Sequence, residues 1–176
     1  DEVLPAALPQ LPVAVESPEQ TMQMLFTSGT TGDPKAILAN YLRFHTVGTI
    51  APLLGWTAQD RLYTGLSLTH ANAQLITLGN VLTPGARGVI SRRFTKSRLW
   101  DICRHYGCTA FNLLGGMTTA VYSETPRPDD ADNPVRMVLS AGMPAAIWAD
   151  FARRFGVAIF EFYGAAEGGM TFNPPG

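Results

Sequence analysis

The feature that most constrains this chain is a repeated alternation of short, continuously apolar runs with segments of helical spacing. MQMLFTS (residues 22–28), RLYTGLSL (61–68), ARGVIS (86–91), CTAFNLL (108–114), RMVLSAG (136–142) and VAIFEF (157–162) read as strands. Residues 39–54 and 70–82 carry helical spacing between them. Thr95 reads as a helix N-cap, followed by Leu99, Ile102, Cys103 and Tyr106 at i, i+3, i+4 and i+7, with Gly107 where a helix stops. Residues 117–123 suit a short helix. Pro144 suits a first helical turn, and Ile147, Trp148, Phe151 and Phe155 make one face closed by Gly156. Residues 124–136, with prolines 126, 128 and 134, read as a polar loop. Strands that are apolar throughout must be covered on both faces, which a parallel sheet between helices provides. The expectation is an α/β fold, a mostly parallel sheet flanked by helices. Ligands of such sheets bind beyond the carboxyl ends of the strands. FTSGTTGDPK (26–35), SLTHANAQ (67–74), SAGMPA (140–145) and FYGAAEGG (162–169) are all expected at that edge.

The bulk composition narrows the function classes. The chain has 176 residues, 46% of them hydrophobic, which suffices for one domain with a real core. Only 15% are charged and the net charge is −1, against the clustered basic surface that nucleic-acid binding requires. The one basic cluster, Arg92, Arg93, Lys96 and Arg98, reads as a solvated face at a strand-to-helix turn. Cys103 and Cys108 are too few for a zinc site or a disulfide framework, and Cys103 falls on an apolar helix face. Reduced thiols suit a cytoplasmic setting. No apolar run has the length to cross a membrane. The opening residues 1–21 are acidic and proline-rich, with neither a signal-peptide nor a transit-peptide pattern, and there is no initiator Met. They are expected to form an extended lead-in to a domain at 22–176, the whole being an excised piece of a longer protein.

Chemistry concentrates in the loops. Thr27, Ser28, Thr30 and Thr31 supply hydroxyls, Gly29 and Gly32 allow close backbone approach, and Lys35 adds a positive charge. That set suits a polyphosphate, which offers many acceptor oxygens and several negative charges. A solvated serine/threonine/glycine turn has the same composition. The loop is not the ordinary P-loop, since from Gly29 the sixth position is Pro34 and Ala36 follows the lysine. Downstream, Tyr163 offers a flat ring at a strand end, Gly164 a close approach, and Glu167 a hard oxygen ligand suited to Mg²⁺. His70 follows a strand, where a lone histidine is as readily structural. His45 and His105 read as surface or packing residues. With no G-x-S-x-G, a serine-hydrolase elbow is not supported.

Taken together, FTSGTTGDPKA, SLTHANAQ, SAGMPA and FYGAAEGG resemble the motifs of the adenylate-forming (AMP-binding) superfamily, which includes acyl-CoA synthetases, luciferases and the adenylation domains of peptide synthetases. FTSGTTGDPKA is similar to its phosphate-loop signature and FYGAAEGG to its Tyr-Gly-x-Thr-Glu motif. SLTHANAQ and residues 111–157 resemble fatty-acyl and carnitine-type CoA ligases in particular. The resemblance implies ATP, Mg²⁺ and coenzyme A, with a small carboxylic acid as partner. A carboxylate attacks the α-phosphate to give an acyl-adenylate and pyrophosphate, and a thiol then displaces AMP. It implies that Thr27, Ser28, Gly29, Thr30, Thr31 and Gly32 hold the β- and γ-phosphates with help from Lys35. Tyr163 would stack on adenine beside Gly164, Gly142, Met143 and Pro144 would line that pocket, and Glu161 would meet the adenine amino group. Glu167 would bind Mg²⁺. His70 would stand between the acyl pocket and the α-phosphate, with Asn72, Gly116 and Met117 at the acyl wall.

The chain departs from the superfamily pattern at three positions. Ala166 stands where the superfamily has a threonine that contacts the α-phosphate, and one lost charge-assisted hydrogen bond is worth roughly 1.5–3 kcal/mol. Ala36 replaces a glycine, and Gly115-Gly116 stands where proline is common. The resemblance covers a middle segment of the superfamily's large domain, without its small C-terminal domain, so low activity in isolation and association through exposed sheet edges are expected. An amino-acid adenylation domain and a non-catalytic nucleotide-binding module are the alternatives. Residues 66–74 hold no acid to pair with a substrate ammonium, which favours a simple carboxylic acid.

Overall fold

The computed structural model of the chain describes residues 14–27 and 33–172. Its main body is a six-stranded sheet in the order β4-β3-β5-β6-β7-β8. The strands are β3 (Arg61–Thr64), β4 (Arg87–Ile90), β5 (Ala110–Leu114), β6 (Met137–Ala141), β7 (Ala158–Gly164) and β8 (Met170–Phe172). β3 to β7 run parallel, and β8 returns antiparallel beside β7. The sheet is thus mostly parallel and helix-flanked, as the apolar runs required.

The chain enters this sheet at β3, steps sideways to β4, then reverses and continues through β5, β6 and β7 on the other side. Parallel crossovers are right-handed in the great majority of cases, so a reversal of direction puts the helices before and after it on opposite faces. The two cores follow that division. On one face, α3 (Leu99–Tyr106), α4 (Gly115–Tyr122) and α5 (Trp148–Phe155) bury Leu99, Cys103, Val121, Phe151 and Phe155 against Phe111, Val138 and Ile159. On the other, Ile50, Leu54, Trp56, Ile76 and Val81 cover Leu62, Ala110, Leu139 and Phe162. Alternate residues of one strand therefore serve different cores, which explains why the strands carry almost no polar positions. Cys103 and Cys108 are both buried on the α3 side, where a thiol–thiol hydrogen bond and burial push the Cys103 pKa up. The C-caps at Gly107 and Gly156 have φ of 63° and 66°, the left-handed turn their positions predicted.

Several expectations are corrected. The run at residues 22–28 does not join the parallel sheet. As β1 (Thr21–Thr27) it pairs antiparallel with an unforeseen strand, β2 (Lys35–Asn40), in a separate two-stranded sheet. Seven residues separate β1 from β2, enough for a hairpin and too few for the crossover that parallel strands need. The helix read over residues 39–54 begins only after Asn40, whose side chain accepts a hydrogen bond from the Arg43 N–H at 2.9 Å. It runs as α1 (Tyr41–Gly48) and is followed by a 3₁₀ turn at Ala51–Leu54. FYGAAEGG, expected beyond a strand end, begins inside the strand: Phe162, Tyr163 and Gly164 close β7, and residues 165–169 form the turn of the β7–β8 hairpin. The helix at residues 70–82 is present, but Asn72–Leu78 is π-helical and passes into α2 (Gly79–Leu82). Thr95 precedes only a 3₁₀ turn and makes no side-chain cap.

Candidate active site

The chain reverses direction between β3 and β5, and a crevice opens beyond the carboxyl ends of strands at such a point. A cavity of about 600 Å³ lies there. Its walls come from the end of β2 and the first turns of α1 (Asn40, Leu42, Arg43, Thr46, Val47), and from the start of the π-helix (His70, Ala71, Asn72, Leu75, Ile76). The remaining wall comes from the strand ends Leu114, Ala141 and Phe162 and from the β7–β8 hairpin, Gly164 to Ala166 and Gly168 to Met170.

Local hydrogen bonds hold these walls. The turn is closed by Ala165 N–H to the Gly169 carbonyl at 3.4 Å and Gly168 N–H to the Ala165 carbonyl at 3.2 Å. Arg43 ties α1 to it, donating from Nη2 to the Ala165 carbonyl at 2.8 Å. The Asn72 backbone N–H donates to His70 Nδ1 at 3.1 Å. In the neutral ring that acceptor role leaves the proton on Nε2. Beneath His70 is a buried polar chain. Asn112 on β5 donates from Nδ2 to Asn72 Oδ1, and Thr77 donates from Oγ1 to Asn112 Oδ1 at 3.0 Å. All three residues are at most 8% exposed. A π-helical stretch aims these side chains differently from an α-helix, and such stretches recur at functional sites.

The residues singled out from the sequence separate into those on the cavity and those near it. His70, Asn72, Gly164 and Ala166 line it, joined by Ala141 from SAGMPA. Tyr163 stands beside it with a ring 72% exposed, and Glu167 is exposed in the same turn. Glu161 is half-buried on β7, opposite Ser140 of β6. Gly142 has φ of +90°, and Pro144 precedes a 3₁₀ turn; neither lines the cavity. Met143 is buried in the α3–α5 core, so its side chain is turned away from it. Gly116 is exposed and Met117 packs against that same core, so neither joins the acyl wall as drawn. Thr27 and Lys35 are register partners in the β1–β2 pairing, and Lys35 is exposed. Ser28, Gly29, Thr30, Thr31 and Gly32 lie outside the described residues. Sequence reasoning missed Arg43, Asn112 and Thr77. A lone Asn inside an otherwise apolar strand was the available signal for the second, because a buried amide requires a partner.

No cluster of three or more metal-ligating His, Cys, Asp or Glu side chains occurs among the described residues. No helix among them is long and apolar enough to cross a membrane.

Fold and cavity together define an α/β protein with a cavity at the switch point of a mostly parallel sheet. The chain belongs to the AMP-binding enzyme family, whose model matches residues 2–175. It is 34% identical over 149 residues to long-chain fatty acid transport protein 2 of Rattus norvegicus, covering 84% of this chain and 24% of that protein. It is 34% identical over 171 residues to the medium/long-chain-fatty-acid–CoA ligase FadD6 of Mycobacterium tuberculosis, covering 96% of this chain and 28% of that one. Among solved structures, o-succinylbenzoate coenzyme A synthetase of Bacillus subtilis, in complex with ATP and magnesium ion, superposes with a TM-score of 0.72. It is 28% identical, over 86% of this chain and 31% of that one. The adenylate-forming resemblance is thereby borne out, and the chain spans about a quarter of the length of the curated relatives it matches.

Proposed function

We propose that this chain is the nucleotide- and acid-binding core of an ATP-dependent acyl-CoA ligase. The observation that carries the reading is the convergence of three motifs, distant in sequence, on one cavity at the switch point: His70 and Asn72, Ala141, and Gly164 with Ala166. The wall holds no carboxylate among the described residues, which suits an acid substrate better than an ammonium-bearing amino acid.

In the first step a carboxylate oxygen attacks the α-phosphorus of ATP. The bond to the bridging oxygen breaks and pyrophosphate leaves with the electron pair. In the second step a thiol sulfur attacks the acyl carbon, the thiol proton is lost to base, and AMP leaves. Chemistry of this kind depends mainly on positioning and charge stabilisation. His70, with Nδ1 occupied by Asn72, would present Nε2–H to an anionic oxygen. Tyr163 would stack on adenine, Glu161 would meet its amino group, and Gly142 to Pro144 would contribute backbone, since the Met143 side chain is committed to the core. Residues 27–32 and Lys35 would hold the β- and γ-phosphates. Mg²⁺ bound with the triphosphate would supply charge neutralisation, with Glu167 of the β7–β8 turn to hold it.

The test is carboxylic-acid-dependent exchange of pyrophosphate into ATP, measured on the full-length protein with a panel of fatty and aromatic acids. Exchange driven only by amino acids overturns the reading. Glu167→Gln should weaken Mg·ATP binding about tenfold or more, as loss of a charged ligand does. Calorimetry that finds no change would remove that role from Glu167.

A further inference from the structure

We propose that Arg43 is the anion anchor of the cavity, its guanidinium taking either the carboxylate of the acid or the α-phosphate of the nucleotide. This rests on the ligase reading and adds a residue to it.

Arg43 is the one side chain of fixed charge on the described lining, and no acid shares that wall. Its backbone N–H is held by the Asn40 cap and its Nη2 by the Ala165 carbonyl. A carbonyl satisfies one of five guanidinium donors and none of the charge. No described carboxylate forms an ion pair with Arg43, whereas Arg104, Arg127, Arg136, Arg153 and Arg154 are paired; Arg61, Arg87, Arg92, Arg93 and Arg98 also have no ion pair among the described residues, but none of them lines the cavity. The residue is half-buried, so the charge is partly stripped of water with no counter-charge among the described residues. Such a state is costly unless a ligand supplies the anion. A guanidinium tied at one corner still offers parallel donors to a two-oxygen anion, and carboxylate and phosphate both present that geometry. His70 lines the same cavity with Nε2 as its remaining donor, so both polar arms that converge there favour an oxyanion.

The test uses the full chain with four probes: AMP and adenosine, decanoate and decanol. Arg43→Gln keeps a side-chain donor for the Ala165 carbonyl and removes the charge. It should weaken AMP, decanoate or both by about tenfold or more, leaving adenosine and decanol within about twofold, since a hydrogen bond to a charged group is worth that much. Loss confined to AMP assigns the phosphate, and loss confined to decanoate assigns the carboxylate. Equal weakening of charged and neutral probes, or no change, overturns the anchor and leaves Arg43 a strap. Should Arg43→Gln melt early, the wild-type chain decides: affinity for the charged probes must fall with added salt while that for the neutral ones holds. A wild-type chain that binds none of the four removes the ligase reading and this role with it.

Discussion

At the scale of residues, the site depends on a polar chain the cavity does not expose. Asn112 is 4% exposed on a strand otherwise made of Ala, Phe and Leu, and it bridges Asn72 to Thr77. Its neighbours Phe111 and Leu113 face the α3–α5 core, so period-two alternation turns Asn112 toward the π-helix. Asn112→Leu would fill the volume but leave the Asn72 carbonyl oxygen and the Thr77 hydroxyl without partners. Buried groups orphaned in this way cost roughly 1–3 kcal/mol. The expected outcome is a lower urea midpoint with an unchanged slope. Adding Thr77→Val should cost less than the sum of the two single changes, because the second substitution removes a group the first has already stranded. Strict additivity would mean that the two side chains do not act as one network. Because Asn72 also fixes His70 through its backbone N–H, Asn112→Leu should lower the proposed ligase turnover of the full-length protein more than its melting point suggests.

At the scale of elements, the sequence was legible where burial on two faces wrote a continuous apolar run, as in β5, β6 and β7. It was illegible where pairing depends on tertiary context. KAILAN of β2 has the residues of a helix start and is a strand only because a short turn folds it onto β1. MTF of β8 is three residues long and exists because the β7–β8 turn lays it beside Phe162. The Asn72–Leu78 stretch shows helical periodicity, but its π-helical pitch leaves no separate mark in composition. SLTHANAQ, SAGMPA and FYGAAEGG, which each contribute to the cavity wall, were readable because loop chemistry is local, whereas Arg43 sits in an ordinary helical pattern and gains meaning only from the turn it meets. Gly115-Gly116, noted as a departure, has a steric reason. A Cβ on Gly115 would come within 2.8 Å of the Gly142 carbonyl oxygen, where the chain leaves paired strands at Leu114 and Ala141. Gly115→Ala must push backbone against backbone at the cavity rim. A loss of about 1–3 kcal/mol, typical of overpacking, is expected in thermal or urea melts. Gly116→Ala meets nothing within 4 Å and should be nearly neutral, so equal effects at the two positions would refute the close-approach explanation.

At the scale of the whole molecule, the sheet has the cavity at one edge and a hydrogen-bonded clasp at the opposite edge. Beyond the amino ends of β3, β5 and β6, Asp60 gathers the strands. Its Oδ1 accepts from Thr109 Oγ1 at 2.6 Å and Arg136 Nη2 at 2.9 Å, and its Oδ2 accepts from the Thr57 N–H at 2.8 Å. Asp60 is 5% exposed, and that burial alone would raise its pKa. The hydrogen bonds from Thr109, Thr57 and Arg136, with the Arg136 charge, outweigh it and hold the carboxyl below its ordinary value. A carboxyl depressed in the folded state stabilises fully above the unfolded carboxylate range near pH ~4, and that contribution is lost as pH falls through the folded pKa. The sign is therefore acid-labile: protonation breaks the clasp and favours the unfolded chain. Asp60→Asn removes the charge at every pH, so it should lower stability by roughly 1–3 kcal/mol at pH 7, the cost of charged hydrogen bonds lost from a buried site. The melting-temperature gap between wild type and Asp60→Asn should then narrow steadily as the pH is lowered below ~4. A gap that stays constant from pH 7 to pH 3 would show that Asp60 acts by shape alone. The clasp lies across the sheet from the cavity, so Asp60→Asn should leave probe affinities at the carboxyl edge unchanged at pH 7 while the fold remains intact.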